Sequence, residues 1–402
     1  FAILAMVSVA LFVVLLWVAM MAATGIARLF GYFYGLRERV SRKRAGKELA
    51  CPSCYRTTLF PGYQCPGCGR THRLLQPGPL GIINRVCECG ASLPTTASRA
   101  AARQLEVVCP YCDITLGTTA GSRPTLLVPV MGSVGVGKTS FLAAAVTGMA
   151  RATASVGSFA PINPAADQFT QLAHTGMTLP KTAYAGRPDV LVFEASMGGP
   201  VHDIQLVDAA GEFFVNWESA QQLSYIDTAP AWVLVIDPLM LPEVRDRLDA
   251  AGVGIDESVI GTGAPSDAYA SVVDRFTAGG GKLTKKSLAV VVSKADILAQ
   301  VPEWAELGSS ARAVRQLLMD NGADNLIRGA ELDFTAIDYF AIEAAPASQP
   351  TLVRDPLRVI DWALARKGLR LSFLDLIPAE PELAATAAAT SDTTASPAPI
   401  TQ

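Results

Sequence analysis

The sequence predicts an α/β domain with a mostly parallel sheet and helices on both faces, preceded by a transmembrane helix and two small cysteine-rich units. Three observations carry this expectation. Leu126–Met131, Ile204–Val207, Ala231–Ile236 and Leu288–Val292 are continuous apolar runs, as parallel strands buried on both faces must be. A glycine-rich loop, Gly132-Ser133-Val134-Gly135-Val136-Gly137-Lys138-Thr139, stands between the first of these runs and an alanine-rich helical stretch. All eight cysteines fall in four close pairs ahead of that domain.

Taken in order, residues 1–27 are uncharged and mostly apolar, and Arg28 is the first charge. About 20 apolar residues cross a membrane as a helix, whereas a signal peptide has a shorter apolar region, about 7–15 residues, behind a basic start. A membrane anchor is expected. The chain opens on Phe1, so further residues upstream are expected too. Residues 28–50 form a basic juxtamembrane segment. Arg28, Arg37, Arg39, Arg42, Lys43, Arg44 and Lys47 stand there against Glu38 and Glu48, a net +5. Basic residues beside a span stay on the cytoplasmic side and meet anionic headgroups, so the body is expected to be cytoplasmic and the segment to contact membrane lipid. The whole chain carries −3, so its remainder is acidic, which argues against nucleic-acid binding. With half of its residues hydrophobic, it is not a disordered protein.

Residues 51–117 hold the pairs Cys51/Cys54, Cys65/Cys68, Cys87/Cys89 and Cys109/Cys112. Disulfides are rare in the cytosol, and a redox motif needs one such pair beside a βαβ unit, not four in a row. Four thiolates fill a tetrahedral zinc site and leave no position for water. Two structural zinc ions are therefore expected, in tandem four-cysteine zinc ribbons. Gly69 and Gly90 suit a tight turn after the second cysteine. The simplest pairing is sequential: Cys51, Cys54, Cys65 and Cys68 on one ion, Cys87, Cys89, Cys109 and Cys112 on the other. An interleaved pairing stays open. In so short a segment the metals supply much of the folding energy.

Residues 118–124 read as a short flexible linker and 125–377 as one α/β domain. Asp189–Ala195 precedes Ile204–Val207 across Gly198-Gly199-Pro200, an antiparallel hairpin. Helices are expected over Thr139–Ala152 and Asp355–Arg366, the latter with Asp355 as cap and Pro356 at its first position. Pro129 sits inside a central strand, where it removes a ladder donor, so a local irregularity is expected. The tail, 378–402, is rich in Ala, Thr and Pro and is expected to be disordered.

The strand–loop–helix setting makes the glycine-rich loop a phosphate cradle. Its backbone N–H groups wrap phosphates, Lys138 reaches the β- and γ-phosphates, and the Thr139 hydroxyl binds magnesium. Asp208 at a strand end can hold the same ion, usually through water, and Gly211 can offer its N–H to the γ-phosphate. In Ser293-Lys294-Ala295-Asp296, Asp296 can accept from the N1 and N2 edge of guanine while the Lys294 stem lies over the base. The ordered set Gly132–Thr139, Asp208–Gly211 and Ser293–Asp296 resembles the P-loop GTPases of the TRAFAC class, which holds the Ras-like and translation-factor proteins, over about residues 125–375. With the span and zinc ribbons in front, the chain resembles a bacterial double-GTPase-type protein associated with conflict systems.

The resemblance implies GTP/GDP and Mg2+ as ligands. Nucleotide binding then falls to Gly132, Ser133, Val134, Gly135, Val136, Gly137, Lys138, Thr139, Ser140, Asp208, Gly211, Ser293, Lys294 and Asp296. It also implies a switch threonine, assigned to Thr182 with Thr175 and Thr178 as competitors. Glu212 stands where Ras-like proteins often carry the glutamine that orients the attacking water. Lys138, Thr182 and Glu212 are thus the catalytic candidates. Three features depart from the family pattern: Ser293 replaces Asn or Thr, Ile342-Glu343-Ala344 poorly matches the last base-contacting loop, and residues 238–284 form a long insertion. Two functions fit. One is a membrane-anchored GTP-hydrolysing switch whose zinc ribbons, or switch regions, dock a protein partner. The other is a nucleotide-binding membrane scaffold that hardly turns over.

Overall fold

The computed structural model describes residues 2–78, 81–175, 188–208, 225–344, 351–369 and 371–376. The tail expected at 378–402 lies outside them. The chain begins as one helix, α1 (Ala2–Arg44), of 43 residues, about 65 Å at 1.5 Å per residue. From Met6 onward it is long and apolar enough to cross a membrane, and its most apolar window is unburied. Most of the basic segment is therefore a continuation of this helix, which docks on the cysteine region. Glu38 accepts from the Ser98 N–H and hydroxyl at 3.1 and 2.9 Å. The Arg39 guanidinium lies 5.5 Å over the Phe60 ring. Arg42 is buried and donates to the carbonyls of Leu59 and Gly121 at 2.7 and 2.6 Å.

The cysteine region is built from hairpins of two or three residues per strand. Leu49–Ala50 pairs with Thr57–Thr58, and Asn84–Val86 with Ser92–Pro94. Gly62–Gln64 lies between Thr71–His72 and Val107–Val108 in a three-stranded sheet. Leu49, Tyr63, Leu75, Leu93 and Val107 form its small core. The stretch expected as a flexible linker is held at Gly121 and Arg123. The Gly121 carbonyl takes the Arg42 hydrogen bond, and Arg123 pairs with Glu194.

The α/β domain has seven strands: β1 (Thr125–Met131), β2 (Ser158–Pro161), β3 (Asp189–Ser196), β4 (His202–Asp208), β5 (Ala231–Ile236), β6 (Ser287–Val292) and β7 (Ala336–Ala341). Their order is β7-β6-β5-β1-β4-β3-β2. The first five in this order are mutually parallel, while β3 runs antiparallel to both β4 and β2. The expected hairpin is thus present, with Val190 opposite Val207. Alternate residues of β1 serve two cores. Leu126, Val128 and Val130 pack with Phe141 and Leu142 of helix α2 (Lys138–Thr153), and with Ile360 and Leu364 of the helix Leu357–Lys367. Leu127 and Met131 face the core that holds Trp232, Val272 and Leu318. Burial on both faces is why these strands read as unbroken apolar runs. Pro129 stays within β1, but the ladder to β5 begins only beyond it and covers Val130 and Met131 alone. Asp355 caps its helix as expected, accepting from Leu357 N–H at 2.8 Å.

Candidate functional site

The C-terminal ends of β1, β4, β5 and β6 converge where a doubly wound sheet binds its ligand. The loop from Gly132 to Gly137 leaves β1 and turns into α2. Gly132 has φ 148°, and a Cβ there would stand 2.5 Å from the Val235 carbonyl oxygen, so no other residue fits. Lys138 opens α2 and is buried; its ammonium donates to the Gly132 and Ser133 carbonyls at 2.9 and 2.8 Å. Ser140 lies half-buried in the same first turn. The Thr139 hydroxyl donates to Asp208 Oδ2 at 3.1 Å, so the two residues expected to share a metal are neighbours. A helix N-terminus, a buried ammonium and this hydroxyl–carboxylate pair together suit a polyphosphate with a divalent cation.

Ser293 stands directly after β6. It is buried and donates to the Val136 carbonyl at 2.8 Å, tying β6 to the phosphate loop. Lys294 stands in the left-handed region at φ 54° and opens the short helix Ala295–Leu298. Its ammonium pairs with Asp237 and donates to the Val259 carbonyl at 2.5 Å. Asp296 lies in the first turn of that helix, and its half-buried carboxylate has no hydrogen-bond partner among the described residues. The Ile342-Glu343-Ala344 loop sits beside it, with the Ala295 N–H on the Ile342 carbonyl at 3.1 Å. Glu343 is buried and paired with Arg354.

Asp237 is the residue that sequence reasoning missed. It is fully buried and follows β5 directly. Oδ1 accepts from Leu239 N–H at 3.0 Å; Oδ2 takes Gly261 N–H at 2.8 Å and the Lys294 ammonium. A charge so deep is tolerated because it is paired and its oxygens are hydrogen-bonded. The insertion thereby gains a place. Between the helices Pro242–Ala250 and Pro265–Ala278 its chain crosses the phosphate loop, with Thr262 N–H on the Val134 carbonyl at 2.8 Å and the Ser133 hydroxyl on the Ala264 carbonyl at 3.1 Å. Thr182, Thr178, Gly211 and Glu212 lie outside the described residues. Thr175 ends the helix Pro164–His174, its hydroxyl on the Leu172 carbonyl at 2.7 Å.

The second candidate site is the cysteine region, and here the sequential pairing is corrected. Cys51, Cys54, Cys109 and Cys112 form one group and Cys65, Cys68, Cys87 and Cys89 the other, nested inside it in the chain. The reason is strand pairing. Val107–Val108 returns beside Gly62–Gln64 and delivers the last pair to the first. Closest sulfur contacts are 3.6 and 3.7 Å in the outer group and 3.5 and 3.7 Å in the inner one. Four sulfurs about 2.3 Å from a tetrahedral zinc lie about 3.8 Å apart, whereas a disulfide needs about 2.05 Å. Both groups suit zinc. Each pair also has its second cysteine followed by a left-handed residue, namely Tyr55, Gly69, Gly90 and Asp113. Its N–H returns to the carbonyl of the first cysteine at 2.9 to 3.0 Å.

No curated protein matches the chain. Residues 126–353 match the family model described as Double-GTPase 2, which begins at β1 and runs through the phosphate loop, Asp208 and Asp296 to the loop beyond β7. A match over more than half of the 402 residues, on a sheet and phosphate loop of this form, places the chain in the Double-GTPase 2 family.

Proposed function

We propose that the protein is a membrane-anchored switch that binds GTP with Mg2+ and hydrolyses it to GDP and phosphate. The observation that carries this reading is the 3.1 Å contact between Thr139 and Asp208 at the mouth of the phosphate loop. Magnesium held there neutralises charge on the β- and γ-phosphates. The backbone of Gly132–Ser140 wraps the phosphates, and Lys138 exchanges its loop carbonyls for phosphate oxygens. Asp296 selects guanine with its half-buried carboxylate. Ser293 and Lys294 hold the loops around the base in place. Gly211, Thr182 and Glu212 complete the site from their sequence positions, with Glu212 orienting water. Helix α1 spans the membrane, the exposed basic side chains beyond the span (Arg37, Lys43 and Arg44) meet anionic lipid on the cytoplasmic side while Arg42 fixes the helix to the cysteine region, and the zinc-bearing region docks a protein partner.

A second reading, a scaffold that binds GTP without turnover, is favoured by the insertion loop, which braces the phosphate loop at Ser133 and Val134. One experiment separates the two. The purified protein is titrated with fluorescent GTP and ATP with and without Mg2+, and phosphate release is followed in a single turnover. Mg2+-dependent preference for GTP with phosphate release is expected. Lys138→Ala weakens binding on the order of 10²-fold, the scale of losing charge-assisted hydrogen bonds, and Asp296→Asn shifts preference toward xanthine nucleotides. Tight binding without release would leave the scaffold, and equal binding of ATP and GTP would overturn the assignment of Asp296.

A further inference from the structure

The first cysteine knuckle, Cys51 to Cys54, is fastened to the nucleotide domain on both sides. Before it, the Ala50 carbonyl accepts from the Gln205 side-chain N–H at 3.0 Å. Gln205 belongs to β4, the strand that ends in Asp208. After it, Tyr55 leaves the cysteine region altogether. Its ring is buried in the core of the α/β domain with Val190, Val207 and Ile226. Its hydroxyl donates to the Pro188 carbonyl at 2.7 Å, and its ring meets Tyr225 edge-on at 5.5 Å between centroids. The backbone at Tyr55 has φ 59°, a left-handed conformation that is strained for a non-glycine residue. At the equivalent place the inner group uses Gly69 and Gly90.

Pro188 and Tyr225 have a shared significance. Pro188 directly follows residues 176–187, which contain Thr182, and Tyr225 directly follows 209–224, which contain Gly211 and Glu212. One side chain attached to a metal knuckle thus touches the C-terminal roots of both segments expected to read the γ-phosphate. We infer that Tyr55 is a positioning residue that couples the outer four-cysteine metal site to the nucleotide state, while the inner site is independent of it. The inference rests on the GTP-binding reading above. Coupling of this kind is reciprocal: if zinc in the outer site favours one arrangement of Pro188 and Tyr225, the nucleotide that favours that arrangement must hold the zinc more tightly.

The test reads zinc, not turnover. Full-length protein in detergent or nanodiscs is loaded with GDP or with a non-hydrolysable GTP analogue, and zinc transfer to a chromogenic chelator is followed in time. Two phases are expected, the outer site assigned by its loss in Cys112→Ser and the inner by its loss in Cys89→Ser. The outer phase should differ between the two nucleotides by about 5-fold or more, the lower end of ordinary coupling, and the inner phase should not. Tyr55→Phe keeps the ring and removes the hydroxyl that bonds Pro188, so it should shrink that difference while zinc content stays at two. If both nucleotides bind and the outer phase ignores them, or both phases shift alike, the coupling is wrong and the GTP-binding reading survives. If neither nucleotide binds, the GTP-binding reading falls and takes the coupling with it.

Discussion

The two four-cysteine groups share one local design and differ in what stands behind it. The inner group follows its second cysteines with Gly69 and Gly90, whose Cβ positions open onto empty space, and it packs within the small core of its own region. The outer group uses Tyr55 and Asp113 at those places. Asp113 pairs with Arg73, and Tyr55 enters the neighbouring domain. A knuckle that ends in glycine is a self-contained clip. One that ends in a strained tyrosine uses the same clip to hold a side chain in a foreign core.

The largest expected effect breaks one group at a time. Structural zinc contributes on the order of 10 kcal/mol of apparent folding energy. Cys109→Ser and Cys87→Ser should each reduce metal content from two ions to one by elemental analysis. Only Cys109→Ser should also lower the unfolding temperature of the α/β domain. An equal loss in both variants would erase the distinction. Next, Tyr55→Ala should cost about 3–5 kcal/mol in denaturant unfolding, the scale of truncating a buried aromatic side chain. Gly90→Ala should cost only about 1–2 kcal/mol, because the strain of the left-handed conformation is all that it adds.

A pH-dependent effect concerns the junction itself. Between the outer group and the sheet lies a cavity of about 480 Å3, lined among others by Pro52, Ile114, Thr125, Asp203 and Gln205. Burial pushes the Asp203 carboxyl up to about 7, against the pull of Arg123 and with Glu194 adding to the rise. An acid raised in the folded state keeps a proton that the unfolded chain releases, so its contribution falls as pH rises from about 4 to about 7. Asp203→Asn should flatten that descent in urea midpoints measured across about pH 4 to about pH 7. A parallel pair of curves would remove Asp203 from the account.

Much of this was legible because it is local. The phosphate loop, its strand and helix, and the four cysteine pairs are fixed by neighbours in sequence, and the parallel strands announce themselves by burial on both faces. What was not legible depends on distant partners. The grouping of the cysteines is set by Val107–Val108 finding Gly62–Gln64, a pairing with no signature in either dipeptide. Strand β2 is four residues, ends in Pro161 and is nowhere fully buried, so it leaves no apolar run. The role of Ser293 was not legible because direction cannot be seen in a motif; its hydroxyl turns to Val136. Asp237 left a faint signal, an acid at the C-terminal end of an apolar strand as Asp208 also is. Its ties to Gly261 and Lys294 come from elsewhere in the chain.

The nesting of the cysteines also sets an order of assembly. During synthesis the four ligands of the inner site are complete once Cys89 has emerged, whereas the outer site must wait for Cys109 and Cys112. The inner clip closes the shorter loop and so loses less chain entropy on closing. Tyr55 must wait longer still, since Pro188 and Tyr225 are made after every cysteine. The nascent chain therefore matures from the inside outward: a metal-closed kernel, then an outer clasp, then the insertion of one tyrosine into a domain that has only just been completed.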